Sequence, residues 1–332
     1  ARHISKSLEQ SRELLDNAVF NQRQLGEGEQ VKLNGIPTGF ILLDKKTNGW
    51  QKTDFIILAA RPGMGKTAFV LNTAKASAEA KKPVLIFSLE MGHISLVQRV
   101  QSADSGVPLE IILRGTPEDY QFEKLSHGIG RLYDLPIWID DRANISIGMI
   151  ETQARKFKKQ NGIELIIIDY LQLIKSKVAG NRESEISDIS RRLKQLAKEL
   201  DLPIIALAQL SREVERRPDK IPQLSDLRES GSLEQDADII AFLFRFEYYF
   251  HDNMDVEIGK KHYPPKNLAE LIIAKYRNGS TGSIPLKFYG YKMLFTDYED
   301  VFDEHEEQKS LPEYNPTITS ISDNNEDEVP PF

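Results

Sequence analysis

One eight-residue segment constrains the fold of this chain more than any other stretch: Ala60-Arg61-Pro62-Gly63-Met64-Gly65-Lys66-Thr67. The apolar run 55–59 before it has the composition of a buried strand. Residues 68–75 after it have the composition of a helix. A strand, a glycine-rich loop and a Gly-Lys-Thr that opens a helix form the context of a phosphate-binding P-loop. The alternative is a glycine-rich turn that binds nothing.

In such a loop, backbone N–H groups and the helix N-terminus form a cradle for phosphate oxygens. Lys66 would reach the β- and γ-phosphates, and the Thr67 hydroxyl would hold Mg²⁺. Ala60 stands where the motif GxxxxGK[ST] has its first glycine, and a small residue suffices there if its φ is negative. The residues expected to bind the nucleotide are Arg61, Pro62, Gly63, Met64, Gly65, Lys66, Thr67 and Ala68.

Composition excludes several classes of protein. The 332 residues include no cysteine, which excludes disulfides and thiolate metal sites and fits a reducing cytoplasm. The sequence has no apolar run of about 18 residues and no N-terminal secretory region, so we expect no membrane span. The chain starts at Ala1 rather than Met, which is consistent with a fragment whose upstream domain is missing.

The net charge of −7 is unevenly distributed along the chain. Residues 299–332 hold eleven acidic side chains and a single basic one, and their composition predicts a disordered tail. The remaining residues hold 42 basic and 39 acidic side chains. The part expected to fold is therefore mildly basic, and its charge does not exclude nucleic acid as a partner.

Three regions follow from these patterns: a linker region over 1–30, a nucleotide-binding domain over 31–298 and the acidic tail over 299–332. Residues 4–20 predict an amphipathic helix, because Ile4, Leu8, Leu15 and Val19 lie on one stripe. A polar linker follows this helix. The helix cannot bury its stripe alone, so it packs either on its own domain or on a neighbouring subunit.

Between the P-loop and residue 244, strand-like and helical runs alternate. The predicted strands are 84–90, 137–140, 165–169, 204–209 and 239–244, and the predicted helices are 95–104, 118–133, 146–160 and 185–200. This order predicts one α/β domain with a mostly parallel sheet between two layers of helices. Two further apolar runs, 268–277 and 283–288, flank Asn278-Gly279, a signal for a C-terminal β-hairpin.

Three polar side chains end apolar strands, and the carboxyl ends of parallel strands line one ligand crevice. Asp169 is the candidate for the acid that holds Mg²⁺ through water, opposite Thr67. Glu90 is the candidate for the base that orients water on the γ-phosphate, the alternative being a helix cap. Gln209 could contact the γ-phosphate through its amide, although a single Gln at a strand end is a weak signal.

Two further segments carry charges that suit phosphate contacts. The polar stretch 226–236 lies between two strands, and Arg228 with nearby main-chain N–H groups could contact a nucleic-acid backbone there. An ordinary solvated loop is equally compatible with this spacing. Lys275 and Arg277 are two residues apart on a strand, so both should point the same way at the hairpin tip. They suit an arginine finger acting on another subunit, or a solvated basic tip.

Together these motifs resemble the C-terminal motor domain of the bacterial replicative DNA helicases of the DnaB family. The resemblance rests on the P-loop and on five further segments in the same order: Phe87-Ser88-Leu89-Glu90-Met91, Ile168-Asp169-Tyr170-Leu171-Gln172-Leu173, residues 190–200, Ser225-Asp226-Leu227-Arg228-Glu229-Ser230-Gly231, and Lys275-Tyr276-Arg277-Asn278-Gly279. It covers about residues 4–288. It implies a RecA-like P-loop NTPase fold, ATP and Mg²⁺ as cofactors, and a hexameric ring that moves 5′→3′ on single-stranded DNA and unwinds forked DNA.

The resemblance also implies a role for each matching residue. Lys66 and Thr67 would bind nucleotide and Mg²⁺, Glu90 would be the catalytic glutamate, Asp169 the Walker B acid and Gln209 the γ-phosphate sensor, while Lys275 and Arg277 would act in trans. Arg228, Glu229 and Gly231 would lie on a DNA-binding loop, and helix 4–20 would dock on the next subunit.

The resemblance further implies that the protein acts in the cytoplasm, at the nucleoid, with primase and a helicase loader as partners. The N-terminal domain used for the collar and for primase is missing from this sequence, and Tyr276 stands where many relatives have Gln. Two other functions remain open at this stage. One is a RecA-like recombinase or repair ATPase that binds DNA without unwinding it, and the other is a P-loop loader or scaffold that uses ATP only to assemble.

Overall fold

The computed structural model describes residues 33–176, 181–227, 231–250, 255–259 and 261–298. The helix expected over 4–20, its linker and the acidic tail over 299–332 lie outside these described residues.

A nine-stranded sheet organises the described residues, with the order β11-β10-β9-β6-β1-β5-β4-β2-β3. Strands β1 to β6 pair in parallel with one another, and β9, β10 and β11 extend the sheet in antiparallel fashion. The strands are β1 Phe55–Ala60, β2 Val84–Ser88, β3 Ile137–Asp140, β4 Leu165–Asp169, β5 Ile204–Gln209, β6 Ile239–Arg245, β9 Leu268–Tyr276, β10 Gly282–Tyr289 and β11 Leu294–Asp297. A separate ribbon pairs β7 Val256–Ile258 with β8 Lys261–Tyr263.

Helices connect the strands of this sheet. They are α1 Ile41–Thr47, α2 Lys66–Glu79, α3 His93–Ser105, α4 Leu109–Arg114, α5 Asp119–Tyr133, α6 Ile147–Asn161, α7 Arg182–Leu200, α8 Gly231–Asp236 and α9 Phe246–Tyr249. Short 3₁₀ turns occupy Leu171–Leu173, Arg212–Arg216, Leu224–Asp226 and Gly290–Lys292.

The sheet buries both of its faces, as predicted from its nearly continuous apolar strands. Along β1, the side chains of Ile56 and Leu58 pack in one cluster with Phe69 of α2. Those of Phe55 and Ile57 pack in the other cluster with Leu193 of α7. Because side chains alternate along a strand, this division shows that each face of β1 is covered by a helical layer.

The predicted strands and long helices are confirmed, with small differences at their ends. Strand β2 ends at Ser88, so Glu90 lies in the bend after the strand and not at its last position. Helix α7 begins at Arg182, where the side chain of Asn181 accepts a hydrogen bond from the Ser184 N–H. This cap starts the helix upstream of the predicted position, which rested on apolar spacing alone.

Several short elements have no clear periodic pattern and were not predicted. Helix α1 precedes β1 in the sequence, and α4 lies between α3 and α5. Strand β11 adds a third strand to the predicted C-terminal hairpin and pairs with β10. Within the described ranges, no helix combines the length and the apolar composition needed to cross a bilayer.

The buried carboxyl of Asp54, just before β1, makes stability depend on pH. Asp54 is 4% exposed and its Oδ2 atom has no hydrogen-bond partner. Burial, together with the charge of Asp238, raises the pKa of Asp54 from 3.8 to about 6. At pH values between 3.8 and about 6, the Asp54 carboxyl is protonated in the folded chain and ionised in the unfolded chain. The contribution of this group to the free energy of unfolding therefore falls as the pH rises through that window.

We expect Asp54→Asn to raise the free energy of unfolding at neutral pH by roughly 1 kcal/mol, because the amide does not ionise. The gain should shrink as the pH falls from about 6 to about 4, and it should vanish below about 4, where the carboxyl is protonated in both states. Urea denaturation at the two pH values measures the difference. Asp134→Asn, at an exposed carboxyl, is the matched control. A gain that is the same at both pH values would contradict the assignment.

Candidate nucleotide-binding site

A cavity of about 420 Å³ lies at the carboxyl ends of the parallel strands. Its walls include nine of the residues that the sequence predicted for the nucleotide site: Pro62, Gly63, Gly65, Lys66, Thr67, Ala68, Glu90, Asp169 and Gln209. Strands β1, β4 and β5 end at this edge, and the bend after β2 joins them. The pairing of the strands therefore brings together residues that lie far apart in the sequence.

The P-loop has the backbone conformation that its glycines allow. Gly63 and Gly65 have φ values of 81° and 95°, in the left-handed region that favours glycine. A Cβ atom on Gly65 would also lie 3.1 Å from the ring of Phe295. Ala60 is the last residue of β1, is fully buried and has no positive φ, so a small residue suffices at this position.

Lys66 and Thr67 open α2 and face the cavity. The Lys66 ammonium donates to the carbonyl oxygen of Ala60 at 2.9 Å. Burial lowers the pKa of Lys66 to about 8, and the charges of Asp169 and Glu90 oppose this shift. A bound phosphate chain would supply further negative charge around this ammonium and would favour its charged form.

Asp169 ends β4 with its carboxylate against the P-loop. The Thr67 hydroxyl donates to Asp169 Oδ2 at 2.7 Å. Burial raises the pKa of Asp169, and the hydrogen bond from Thr67 lowers it in part. Hydroxyl and carboxylate oxygens are the ligand types that Mg²⁺ prefers. This pair therefore fits a magnesium ion that Thr67 would ligate directly and Asp169 would hold through water.

Glu90 contributes an exposed carboxylate to the cavity wall. The first N–H group of α3, that of His93, donates to Asp141 Oδ2 at 2.8 Å. The carboxylate at this helix start is thus Asp141, which weakens the alternative interpretation of Glu90 as a helix cap. The Leu89 N–H donates to the carbonyl oxygen of Asp169 at 2.7 Å and fixes the bend beside β4.

Gln209 ends β5 with an exposed side chain at the cavity. Its main chain is bracketed by the amide of Gln172: the Gln209 N–H donates to Gln172 Oε1 and Gln172 Nε2 donates to the Gln209 carbonyl, both at 3.3 Å. The backbone of Gln209 is therefore held while its side chain faces the space that a ligand would occupy.

The cavity is also lined by two arginines that no sequence motif indicated. Arg99, on α3, lies in the field of both Asp169 and Glu90, and burial lowers its pKa. Arg245 ends β6, lies 4.6 Å from the ring centroid of Phe288 and donates to the Gly63 carbonyl at 3.1 Å. A single arginine within a helix or at a strand end carries no motif, so only the fold could place these cations.

Arg61 and Met64 direct their side chains away from the cavity. Met64 is 1% exposed and packs in the core. The Arg61 guanidinium is bound by Glu215 at 2.9 Å and by the carbonyl oxygen of Leu210 at 2.9 Å. Any contact that these two residues make with phosphate would therefore come from their backbone N–H groups.

Lys275 and Arg277 lie at the opposite edge of the sheet. The end of β9 pairs with the start of β6, whereas the P-loop follows the end of β1. With a six-residue β1, these two edges are roughly 20 Å apart along the strands. Both side chains point to the same side, as predicted, and donate to carbonyl oxygens at the end of α8 and directly after it. They do not join Lys66 within one chain.

The predicted DNA-binding loop is described only at one end. Gly231 is the first residue of α8. Arg228 and Glu229 lie outside the described residues. The structure therefore places the end of the predicted loop at the start of α8.

Comparison with known proteins finds several that are similar to this chain in sequence. The family profile of the DnaB-like helicase C terminal domain matches residues 35–297. The replicative DNA helicase DnaB of Geobacillus stearothermophilus is 46% identical over 86% of this chain and 62% of its own length. The replicative DNA helicase DnaC of Bacillus subtilis is 42% identical over 91% of this chain and 65% of its own length. The chain thus spans less than two thirds of the length of these relatives.

Solved structures agree with these sequence likenesses. A solved ATPase domain superposes with a TM-score of 0.80 at 39% identity and covers 90% of this chain and 100% of its own. A DnaB-like replicative helicase, solved in a study of its interactions with primase, gives a TM-score of 0.76 at 40% identity over 86% of this chain and 67% of its own. These superpositions confirm the predicted RecA-like fold.

We expect Arg99→Met to lower the kcat of ATP hydrolysis about tenfold, a change of about 1.4 kcal/mol in the barrier. Methionine keeps much of the apolar length of the side chain but removes the cation near Asp169 and Glu90. Steady-state hydrolysis at saturating Mg²⁺ and ATP measures the change. Arg131→Met, which removes an ion pair between α5 and Asp104 of α3, is the control. Equal rates for wild type and Arg99→Met would show that the Arg99 cation does not contribute to hydrolysis.

Proposed function

The chain belongs to the family of DnaB-like helicase C-terminal domains, and we propose that it is the ATP-driven motor of a replicative DNA helicase. The observation that carries this proposal is the division of the site. One edge of the sheet holds a phosphate cradle with two carboxylates, and the other edge holds a pair of cations. A chain built in this way completes its hydrolytic site only with a second copy of itself.

The residues at the cavity have complementary roles in hydrolysis. Backbone N–H groups of 63–68 bind the phosphate chain of ATP, and Lys66 contacts its β- and γ-phosphates. Thr67 directly and Asp169 through water would hold Mg²⁺, which would supply positive charge beside the phosphates. Glu90 orients the attacking water and accepts its proton. Gln209 contacts the γ-phosphate. The hydrogen bond between its main chain and Gln172 would pass a shift of Gln209 on to the segment that contains Gln172.

The cation pair acts on the nucleotide of the next subunit. Arg277 and Lys275 stabilise the charge that develops on the γ-phosphate as its bond to the β-phosphate breaks. The roughly 20 Å between the two edges of the sheet excludes this role within a single chain. Head-to-tail contacts of this kind form a ring when the rotation between neighbours closes, and from the family we infer a hexameric ring.

Exposed apolar side chains support self-assembly. On α5, Phe122, Ile129 and Tyr133 are 64%, 47% and 85% exposed and lie along one side of the helix. We infer that this side receives the apolar stripe predicted over residues 4–20 of a neighbouring subunit. Such a contact would bury both apolar surfaces, which are otherwise unfavourable in water.

DNA binding is proposed for the loop that contains Arg228, Glu229 and Gly231. Contacts to the phosphate backbone need no particular base sequence, which suits movement along a strand. We propose 5′→3′ translocation on single-stranded DNA, unwinding at forks, and work in the cytoplasm at the nucleoid. Primase and a helicase loader are the partners expected of a longer protein of this family.

Mixed subunits test the trans arrangement. Lys66→Ala and Arg277→Ala should each abolish hydrolysis, and Arg277→Ala should leave nucleotide binding largely unchanged. In a one-to-one mixture, about a quarter of the interfaces would pair an intact P-loop with an intact Arg277, so activity should return to a measurable fraction of the wild-type rate. A mixture that stays inactive while its mass equals that of the wild-type oligomer would contradict the trans assignment.

Two DNA assays separate the competing functions. Strand displacement on a forked duplex distinguishes a helicase from a recombinase or repair ATPase that only binds DNA. Stimulation of ATP turnover by single-stranded DNA distinguishes a motor from a loader or scaffold. We expect both activities, and their absence from an assembled oligomer would favour one of the alternatives.

Charge on the apolar side of α5 should weaken assembly. We expect Ile129→Asp to lower the oligomer mass measured by light scattering, because the carboxylate would have to be desolvated at the interface. The residue is exposed, so the fold of the subunit should persist. His127→Asp, on the other side of α5, is the control. An unchanged mass for Ile129→Asp would exclude this surface from the interface.

A further inference from the structure

The two cations at the hairpin tip are held in a defined seat, formed by Asp238 and by the carbonyl oxygens at the end of α8. Lys275 Nζ donates to the carbonyl oxygens of Glu234 and Ala237, the latter at 2.7 Å. Arg277 donates to the carbonyl oxygen of Gln235 and, at 3.3 Å, to Asp238 Oδ1. The carbonyl end of a helix attracts cations, which suits this arrangement.

Asp238 organises this seat from a buried position. It is 5% exposed. Its Oδ2 atom accepts from the Phe55 N–H at 2.8 Å and from the Lys194 ammonium, which leaves Oδ1 for Arg277. The Arg277 N–H also donates to the carbonyl oxygen of Asp238 at 2.9 Å. One residue thus connects the starts of β1 and β6 to Arg277.

The seat leaves Arg277 able to bind a second partner. Its side chain is 45% exposed, and a guanidinium has five N–H donors, of which the seat occupies only some. The tip itself is also fixed from the other side, where Lys46 donates to Ser280 Oγ at 3.2 Å and to the Thr281 carbonyl at 3.0 Å. The hairpin tip therefore presents the guanidinium in one place.

Helix α8 connects this seat to Gly231, the described end of the predicted DNA-binding loop. Its six residues span roughly 9 Å. Two hydrogen bonds anchor it on α7: Ser187 to Ser232 at 2.8 Å and Ser190 to Asp236 at 2.7 Å. Leu233 is 1% exposed and adds an apolar contact. The helix is therefore held on α7, and any shift of α8 should be shared with α7.

We propose that Asp238 is a positioning residue that, with the carbonyl end of α8, seats Lys275 and Arg277 for the neighbour's nucleotide, and that α8 thereby links Gly231 to the hydrolytic site of the next subunit. The inference rests on the proposed function, because it takes the two cations to act in trans. Asp238 itself touches no nucleotide. Its effect on hydrolysis passes through Arg277.

The competing explanation is structural, since Asp238 also holds β1 beside β6. Asp238→Asn keeps the shape of the side chain and an acceptor for the Phe55 N–H but loses the charge that holds Arg277. Lys194→Gln is the matched control, because Lys194 is the other cation on Asp238 and also donates to the Thr53 carbonyl at 2.8 Å. The control disturbs the same cluster without removing a partner of Arg277.

We expect Asp238→Asn in the full chain to lower kcat about tenfold with KM changed less than about twofold, because the P-loop of each subunit is intact. Lys194→Gln should keep the wild-type kcat. Mixing Asp238→Asn with Lys66→Ala should restore activity, as mixing Arg277→Ala with Lys66→Ala does. Equal losses of kcat in Asp238→Asn and Lys194→Gln would overturn the positioning role.

The mixtures also separate this inference from the function on which it rests. If Arg277→Ala is complemented and Asp238→Asn is not, the seat is wrong and the trans role of Arg277 stands. If neither is complemented, the trans role of Arg277 itself fails.

A second variant tests α8 without touching Asp238. Ser190→Ala removes the hydrogen bond to Asp236 and should reduce the stimulation of hydrolysis by an oligothymidylate by a larger factor than it lowers the rate without DNA. Unchanged stimulation would overturn the role of α8.

Discussion

The central position of β1 in the sheet determines most of what this chain can do. The strand pairs in parallel with β5 on one side and β6 on the other, and its six residues are buried throughout. Because parallel strands end at a common edge, this pairing places the P-loop beside Asp169 and Gln209. At the other end of the same strand, the Phe55 N–H is held by Asp238. Both halves of the proposed site therefore depend on one strand.

The cavity concentrates opposite charges that a bound nucleotide would rearrange. Lys66 and Arg99 lie with Asp169 and Glu90 around a space lined by the P-loop. Burial makes a charge costly, and the four groups offset part of that cost for one another. The hydrogen bond from Thr67 to Asp169 holds two oxygens where a magnesium ion would need them. Contacts within the protein thus hold these two oxygens in this geometry.

Much of the fold and the P-loop half of the site could be predicted from the sequence. Apolar runs ending in Asp169 and Gln209 located the strands, and the P-loop located the cavity. Arg99 and Arg245 could not be predicted, because their positions come from the packing of α3 and β6 against the cavity and from no local pattern. Helix α4 and β11 are too short for a periodic signal. The seat of Arg277 depends on contacts between residues about forty positions apart, such as the one with Asp238.

The placement of the cation pair has a consequence for how activity depends on the amount of protein. Under the trans arrangement, a lone subunit binds nucleotide but turns none over, since its own Arg277 is held at the far edge of the sheet. Specific activity is then a property of the protein's concentration and of whatever gathers its copies together. Under the proposed trans arrangement, dilution would lower the specific activity, and a DNA site that gathers subunits would raise it by increasing their local concentration.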